Sequence, residues 1–321
     1  MIKNVLSLFD GMSCGQIALN RAGIKYDKYF ASEVDKYVIE VTQKNYPNTI
    51  QIGDVCKVKG SDLPKIDLLI GGSPCQGFST AGKNLNFNDP RSKLFFEYVR
   101  LLKECKPKYF LLENVIMNSR NKNIITSYLN VEPIKINSVL VSAQNRIRLY
   151  WTNISGIKQP EDKGILLKDI IENDKTIKNF KINNETRKVT CKEVPQFFKK
   201  HIFKICNINP SGRGMNGWVY HTDFKSCAIS TNHGEGSKIS NNGISYRNLT
   251  PIECERLQTV PDNYTNHVSN AQRYKMLGNG WTVDVVAHIF KFLKIDPAPK
   301  IDKPCSLIPW HELDIAIEEE K

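Results

Sequence analysis

The sequence predicts an α/β fold built on a mostly parallel sheet, and two observations carry that prediction. Short apolar runs rich in β-branched and aromatic residues recur, each stopped by a glycine or polar residue: NVLSLFDG, YFASEV, IQIGDV, IDLLIGGSP, YFLLENV and IKINSVLVSA. Between several of them lie segments with helical spacing of apolar residues, GQIALNRAG, DKYVIEVTQKNY and SKLFFEYVRLLKEC. Strands that alternate with helices pair mostly in parallel, with helices covering both faces of the sheet.

Taken in order, these strands give way to their loops at Asp10, Glu33, Asp54, Cys75 and Glu113. Ligands of open α/β sheets bind in the crevice beyond the carboxyl ends of the strands. One strand-end acid is most simply a helix N-cap; a whole rim of such residues points to a site. The first turn, FDGMSCG, offers Gly11 and Gly15 without the GxGxxG spacing that wraps a pyrophosphate. Glu33 follows about twenty residues later, where an acid accepts from ribose hydroxyls, and Asp54 could accept from an exocyclic amine. Such residues suit an adenosine-bearing ligand without a phosphate chain, and by themselves leave an NAD enzyme as a rival.

Pro74 and the run before it hold Cys75 at a strand end, ahead of the Gly- and Asn-rich QGFSTAGKNLNFNDPRS. That is the placement of a nucleophile under a mobile loop, or else of a small buried residue. The next strand supplies Glu113 and Asn114, and so apolar a strand should raise the Glu113 pKa by desolvation. In SAQNRIRLYWTN, alternation puts Gln144, Arg146 and Arg148 on one side and Ile147, Leu149 and Trp151 on the other. Two arginines on one face make a solvated edge or, pointed at the rim, an anion clamp or carbonyl polariser.

At 321 residues the chain is long enough for a large core and a smaller lobe. Its formal charge is +12. All of that excess falls in residues 1–246, while 247–321 are slightly acidic. A polyanion, nucleic acid first, is the expected partner, and a merely basic protein is the plain alternative. The nine cysteines form no CxxC pair and have no histidine at ligand spacing, which argues against zinc and disulfide scaffolds. No metal is expected. With no long uncharged run, the expectation is a soluble, cytoplasmic protein without a membrane segment.

PCQGFS, ENV and QNRIR in this order, after FDGMSCG and before RNLTPIECERLQTVPDNY and LGNGWTV, resemble the ordered motifs of the cytosine-5 DNA methyltransferases. The resemblance covers residues 4–151 and 247–290. FDGxxxG and the tryptophan of LGNGWTV are closer to the animal de novo enzymes than to the usual bacterial FxGxGG pattern. It implies the Rossmann-like sheet of the S-adenosylmethionine-dependent methyltransferases with a small inserted target-recognition domain, S-adenosylmethionine as methyl donor, and cytosine as acceptor.

Residue by residue, the resemblance implies that Cys75 adds to carbon 6 of the base. Glu113 would hydrogen-bond ring N3 and the exocyclic amine. Arg148 would hold the carbonyl oxygen and orient Glu113, while Arg146 supports the loop or the backbone. The target base must be flipped from the stack, and Gln76, Ser79, Lys83 and Arg91 would contact DNA after the thiol. For the donor it implies Phe9, Gly11 and Ser13 at the first turn, Glu33 on the ribose, Asp54 on the adenine amine, Val34 and Val55 beside the adenine, and Pro74 at the methionine end. Asn279, Gly280 and Trp281 would close the site, although Trp281 alone reads equally as core.

No family motif falls between Trp151 and Arg247, a basic region whose end is dense in Gly, Asn and Ser. The resemblance makes 152–246 the recognition domain rather than a flexible insertion, with Arg213, Lys225, Ser230, Thr231, His233 and Lys238 as candidate DNA contacts. Residues 1–151 would form the first part of the catalytic domain, 247–295 its completion through the helix VDVVAHIFKFLK, and 296–321 a peripheral extension. The implied protein is a monomeric bacterial or phage enzyme acting on double-stranded DNA, in restriction-modification or phage DNA protection, with any cognate endonuclease acting separately. The alternatives are a tRNA cytosine-5 methyltransferase, whose usual CFT tripeptide does not occur here, and a catalytically silent DNA-binding regulator, against which Cys75, Glu113 and Arg148 stand.

Overall fold

The computed structural model describes residues 2–74, 90–173, 177–182, 201–209, 215–231 and 237–294, with the backbone alone at 90–93 and 215. Outside the described residues lie Cys75, Gln76, Ser79, Lys83, Arg213, His233, the Arg91 side chain and the peripheral extension.

The first half of the chain runs β1 (Asn4–Leu8), α1 (Cys14–Arg21), β2 (Lys28–Ser32), α2 (Lys36–Asn45), β3 (Ile50–Gln51), β4 (Leu68–Gly71), α3 (Pro90–Cys105), β5 (Tyr109–Val115), α4 (Ser119–Leu129), β6 (Ile134–Asn137), β7 (Gln144–Asn145) and β8 (Ile147–Thr152). One seven-stranded sheet results, in the order β3-β2-β1-β4-β5-β8-β6. From β3 to β5 all neighbours are parallel. β8 runs antiparallel to both β5 and β6, because a short connection joins β6 to β8 where a crossover helix would be needed for parallel pairing. β4 is buried at every residue, as a parallel strand with both faces covered must be. The order reverses between β1 and β4, which opens a crevice beyond their carboxyl ends.

Two of the expected strands are shorter than their apolar runs. IQIGDV pairs only at Ile50 and Gln51, and Asp54 then caps a 3-10 turn over Val55–Lys57, its Oδ1 accepting from the Cys56 N–H at 3.0 Å. IKINSVLVSA stops at Asn137, whose Oδ1 accepts from the Val139 N–H at 3.2 Å and starts a 3-10 turn. In both cases a short polar side chain competes with the ladder for a backbone donor.

A second sheet contains β9 (Phe180–Lys181), β10 (Lys204–Asn207), β11 (Trp218–His221), β13 (Lys238–Ser240) and β14 (Ser245–Asn248), in the order β10-β11-β13-β14-β9. Its own small core gathers Ile205, Cys206 and Val219, with Tyr246 packed against them. Between β11 and β13, β12 (Ser226–Cys227) leaves this sheet and pairs in parallel with β7, joining the inserted segment to the QNR stretch. The chain then forms α5 (Pro251–Leu257), α6 (Asn270–Asn279) and α7 (Val283–Phe290). Thr250 and Glu253 close a reciprocal cap on α5, with Pro251 in its first turn. α7 packs on α1, burying Val283, Val286, Ile289 and Phe290 in the core that also holds Val5 and Ile17. Each such side chain contributes roughly 1.5–3 kcal/mol. An Arg21–Asp284 ion pair at 2.6 Å adds to this contact.

The six described cysteines are free thiols. Among the described residues, no helix is long and apolar enough to cross a membrane, and no group of His, Cys, Asp and Glu could hold a metal ion.

Candidate active site

A cavity of about 590 Å³ opens at the reversal of strand order, lined from the ends of β1, β2, β4 and β5, from the arginines at β8, and from the turn after α6. That volume falls within the range of small-molecule sites.

Its first wall is the turn after β1. Phe9, Gly11 and Ser13 all have positive φ, at 57°, 58° and 62°. Such crowding of left-handed residues costs energy at Phe9 and Ser13 and marks ligand clamps. Glu33 fixes the turn from the end of β2: its Oε2 accepts from the Gly11 N–H at 2.8 Å, and its Oε1 from the N–H groups of Val34 and Asp35 at 2.7 and 2.9 Å. Val34 is 71% exposed at the mouth. Asp10 also lines the cavity. The Tyr29 hydroxyl donates to its Oδ1 at 2.7 Å, while its Oδ2 is buried without a hydrogen-bond partner. Burial pushes the Asp10 carboxyl up to about 6, against the lowering effect of hydrogen bonds to Ser7, Tyr29 and Ser13.

Three residues expected at the donor end do not line the cavity. Ser13 is buried behind the turn, accepting from the Gln16 amide at 2.9 Å. Asp54 caps its 3-10 turn, and Val55 is packed in the core beneath β4 and α3. Cys14, another thiol beside the cavity, is raised to about 12 by burial. It is therefore held as an inert thiol.

The opposite wall joins β4, β5 and β8. Gly72, Ser73 and Pro74 line the cavity, and Cys75 is the next residue. Glu113 lies within β5 rather than at its end, because β8 extends the pairing past it. Arg148 Nε stands 3.0 Å from Glu113 Oε1. The Trp281 indole N–H donates to Glu113 Oε2 at 3.1 Å. Both residues are therefore on the rim, as the alternation of QNRIRLYW predicts for Arg148. The burial expected at Glu113 is met by two donors. Asn114 turns its amide to Ser73 Oγ at 3.2 Å, bracing the end of β4 against β5.

Arg146 is buried and does not face Glu113. Its guanidinium donates to the carbonyls of Gly278 and Gly280, each at 3.0 Å, and of Ile229 at 3.4 Å. It thereby holds the turn carrying Asn279, Gly280 and Trp281, all of which line the cavity, against the inserted segment. Gln258 supports the same turn, donating to the carbonyls of Leu277 and Gly280 at 2.7 and 2.9 Å, and Gln144 donates to Leu257 O and Gln258 Oε1 at 2.6 and 2.8 Å. Met12 and the Asp35–Lys275 ion pair at 2.8 Å line the cavity and Gln258 braces its turn from behind, and sequence reading misses all of them. Asp35 had one available signal, its position just before a helical run.

Two expected DNA contacts need correction. Lys225 is buried, with its ammonium on the carbonyls of Val139 and Ser142, and desolvation lowers its pKa. Lys238 is likewise buried, and its ammonium donates to Asn216 O at 2.6 Å. Both stems fold inward, and each ammonium is met by backbone carbonyls. Ser230 and Thr231 are exposed and pass against Gly278, where a Cβ would lie 2.4 Å from Ser230 O.

A model of the C-5 cytosine-specific DNA methylase family matches residues 3–294. The orphan methyltransferase M.SPRI of Bacillus phage SPR is 28% identical over 427 residues, covering 90% of this chain and 97% of its own. The type II methyltransferase M.FnuDI of Fusobacterium nucleatum is 31% identical over 330 residues, covering 90% and 94%. M.HhaI of Haemophilus parahaemolyticus, also type II, is 28% identical over 307 residues, covering 88% and 92%. Among solved structures, the Entamoeba histolytica methyltransferase EhMeth superposes with a TM-score of 0.69 at 17% identity, over 91% of this chain and 98% of its own. The S. pombe Dnmt2 methyltransferase gives 0.62 at 18%, over 90% and 97%. The fold is thus that of known methyltransferases, and the chain belongs to the C-5 cytosine-specific DNA methylase family.

Proposed function

We propose that the protein transfers a methyl group from S-adenosylmethionine to carbon 5 of a cytosine flipped out of double-stranded DNA, through a covalent adduct between Cys75 and carbon 6. The observation that carries this reading is a single cavity with two chemically different ends. At one end are Asp10, Glu33 and the turn after β1; at the other are Glu113, Arg148 and Pro74, the residue before Cys75.

The donor fits the first end by its chemistry. Asp10 places an acid beside the cavity that favours a cationic group, Glu33 keeps acceptor capacity for ribose hydroxyls, and Phe9, Val34 and Trp281 supply apolar surface. When bound, the donor supplies an electrophilic methyl group. The protein's residues make carbon 5 able to take it. Cys75 as thiolate adds to carbon 6, and the electron pair of the 5,6 double bond moves toward carbon 5 and the ring. Glu113 accepts from the exocyclic amine and shares a proton with N3, where the electron density of the ring collects, and Arg148 donates to the carbonyl oxygen, where negative charge develops. Once carbon 5 is methylated, loss of its proton restores the double bond and expels the Cys75 thiolate.

Residues 152–246 would select the target, with Ser230 and Thr231 nearest the cavity turn, and the basic charge of residues 1–246 would bind the phosphates. Phage and type II relatives support a role in restriction-modification or phage DNA protection, carried out by a cytoplasmic monomer without its nuclease.

Labelled methyl should enter duplex DNA and not tRNA; the reverse result sinks the DNA assignment. A duplex bearing 5-fluorocytosine should trap the wild-type protein covalently and leave Cys75→Ser free. Exchange of residues 152–246 with those of a relative should carry the site preference with it, and an unchanged preference rejects that boundary.

A further inference from the structure

We infer that Trp281 is a positioning residue for Glu113, its indole N–H fixing the carboxylate that would meet the base. The role rests on the base-holding function proposed above. The two oxygens of Glu113 are held separately, Oε1 by Arg148 Nε at 3.0 Å and Oε2 by Trp281 Nε1 at 3.1 Å. One donor on each oxygen fixes the plane of the carboxyl group, and leaves one oxygen to accept from the exocyclic amine and the other to hold the proton shared with N3. A ring that served only as a cavity wall would need no N–H aimed at an acid.

The surroundings are built for this contact. A Cβ at Gly72 would lie 2.9 Å from Trp281 Nε1 and 3.1 Å from Glu113 Oε2, so glycine leaves the space in which the two meet. The indole is presented from a braced turn. Arg146 and Gln258 both donate to Gly280 O, and Thr282 Oγ1 accepts from Ser138 Oγ at 2.8 Å. Because Arg146 also donates to Ile229 O, the segment bearing Ser230 and Thr231 is tied to the same turn. Glu113 is thereby set by residues far away in sequence.

Two measurements test the role. With indole-15N tryptophan in the full-length protein, the chain's four tryptophans give four ring N–H signals, and Trp281→Phe assigns the one in question. Glu113→Gln in the substrate-free protein should shift that signal and leave the other three in place; an unmoved signal overturns the contact, whatever the protein's activity. In methyl transfer to duplex DNA, Trp281→Phe keeps the ring and loses the N–H. It should lower kcat about tenfold, with KM for donor and DNA within about twofold of wild type. A raised donor KM at unchanged kcat would make the ring a wall only and overturn the role. A wild-type protein that methylates nothing would sink the reaction reading, while the ring signal would still decide the contact.

Discussion

Replacing Asp10 by asparagine should stabilise the protein, and by an amount that grows with pH. Burial raises the Asp10 carboxyl from 3.8 to about 6 in the folded state. The folded chain therefore holds the proton more tightly than the unfolded one, and stability falls as pH rises between the two values. At neutral pH the full penalty is about 2 pKa units, or roughly 3 kcal/mol. At about pH 5 the unfolded state is already ionised and the folded state is not, so about half of that penalty is present, and the rest appears by about pH 7.5. Asparagine keeps an oxygen for the Tyr29 hydroxyl and cannot ionise. Its amide carries a cost of its own, but that cost does not change with pH. Urea unfolding of wild type and Asp10→Asn at both pH values gives a double difference in which the other titrating groups cancel. A gain from asparagine that is the same at both pH values would refute the buried-acid account.

Other perturbations read different parts of the frame. Glu253→Ala should cost about 3–5 kcal/mol in unfolding free energy, because it leaves the buried Arg247 guanidinium, now paired at 2.6 and 2.8 Å, without its acid. The pair Glu253→Leu with Arg247→Met should lose much less. Arg146→Lys replaces a fork serving three carbonyls by a single ammonium, and should raise the KM for the methyl donor several-fold while thermal unfolding falls by roughly 1.5–3 kcal/mol. Among the described thiols, alkylation followed by peptide mapping should label exposed Cys56 first and spare Cys14 and Cys254, which burial pushes upward, until urea opens the fold. Gly72→Ala should displace the Trp281 ring from Glu113 and move its N–H signal as Glu113→Gln does.

Much of the cavity rim is legible in the sequence because it depends on short-range rules. The period of the apolar runs locates β1, β2, β4 and β5, and a parallel sheet puts the residues that follow them on one edge. Glu33 and Pro74 fall on the cavity for that reason, and Glu113 reaches it from within β5, near the same edge. The same rule misplaces Asp54. Its apolar run is long enough for a strand, but β3 pairs for only two residues, and the acid is used as a cap. Whether a polar side chain caps a turn or faces a ligand depends on where the ladder stops, which periodicity does not encode. Lys225 and Lys238 show a related limit. A stretch rich in Gly, Asn and Ser reads as surface, yet their stems run inward to carbonyls that only the folded chain brings near.

Least legible are the contacts across long separations, and these decide how the inserted segment meets the chemistry. β12 pairs with β7 directly before Arg146, and the Arg146 guanidinium then takes carbonyls from Ile229 on one side and from Gly278 and Gly280 on the other. The Gly278 backbone is in close contact with Ser230 and Thr231, where even a methyl group could not fit. A shift of the inserted segment would therefore move the turn that carries Trp281, and with it one of the two donors on Glu113. Arg146 thus serves a different end from Arg148, although only Ile147 separates them in the same motif: one orders the backbone, and the other meets the acid. Substituting Arg146 should disturb donor binding and target response together, whereas loss of Arg148 should act at the base end, on the Glu113 carboxylate and on the carbonyl oxygen it would hold.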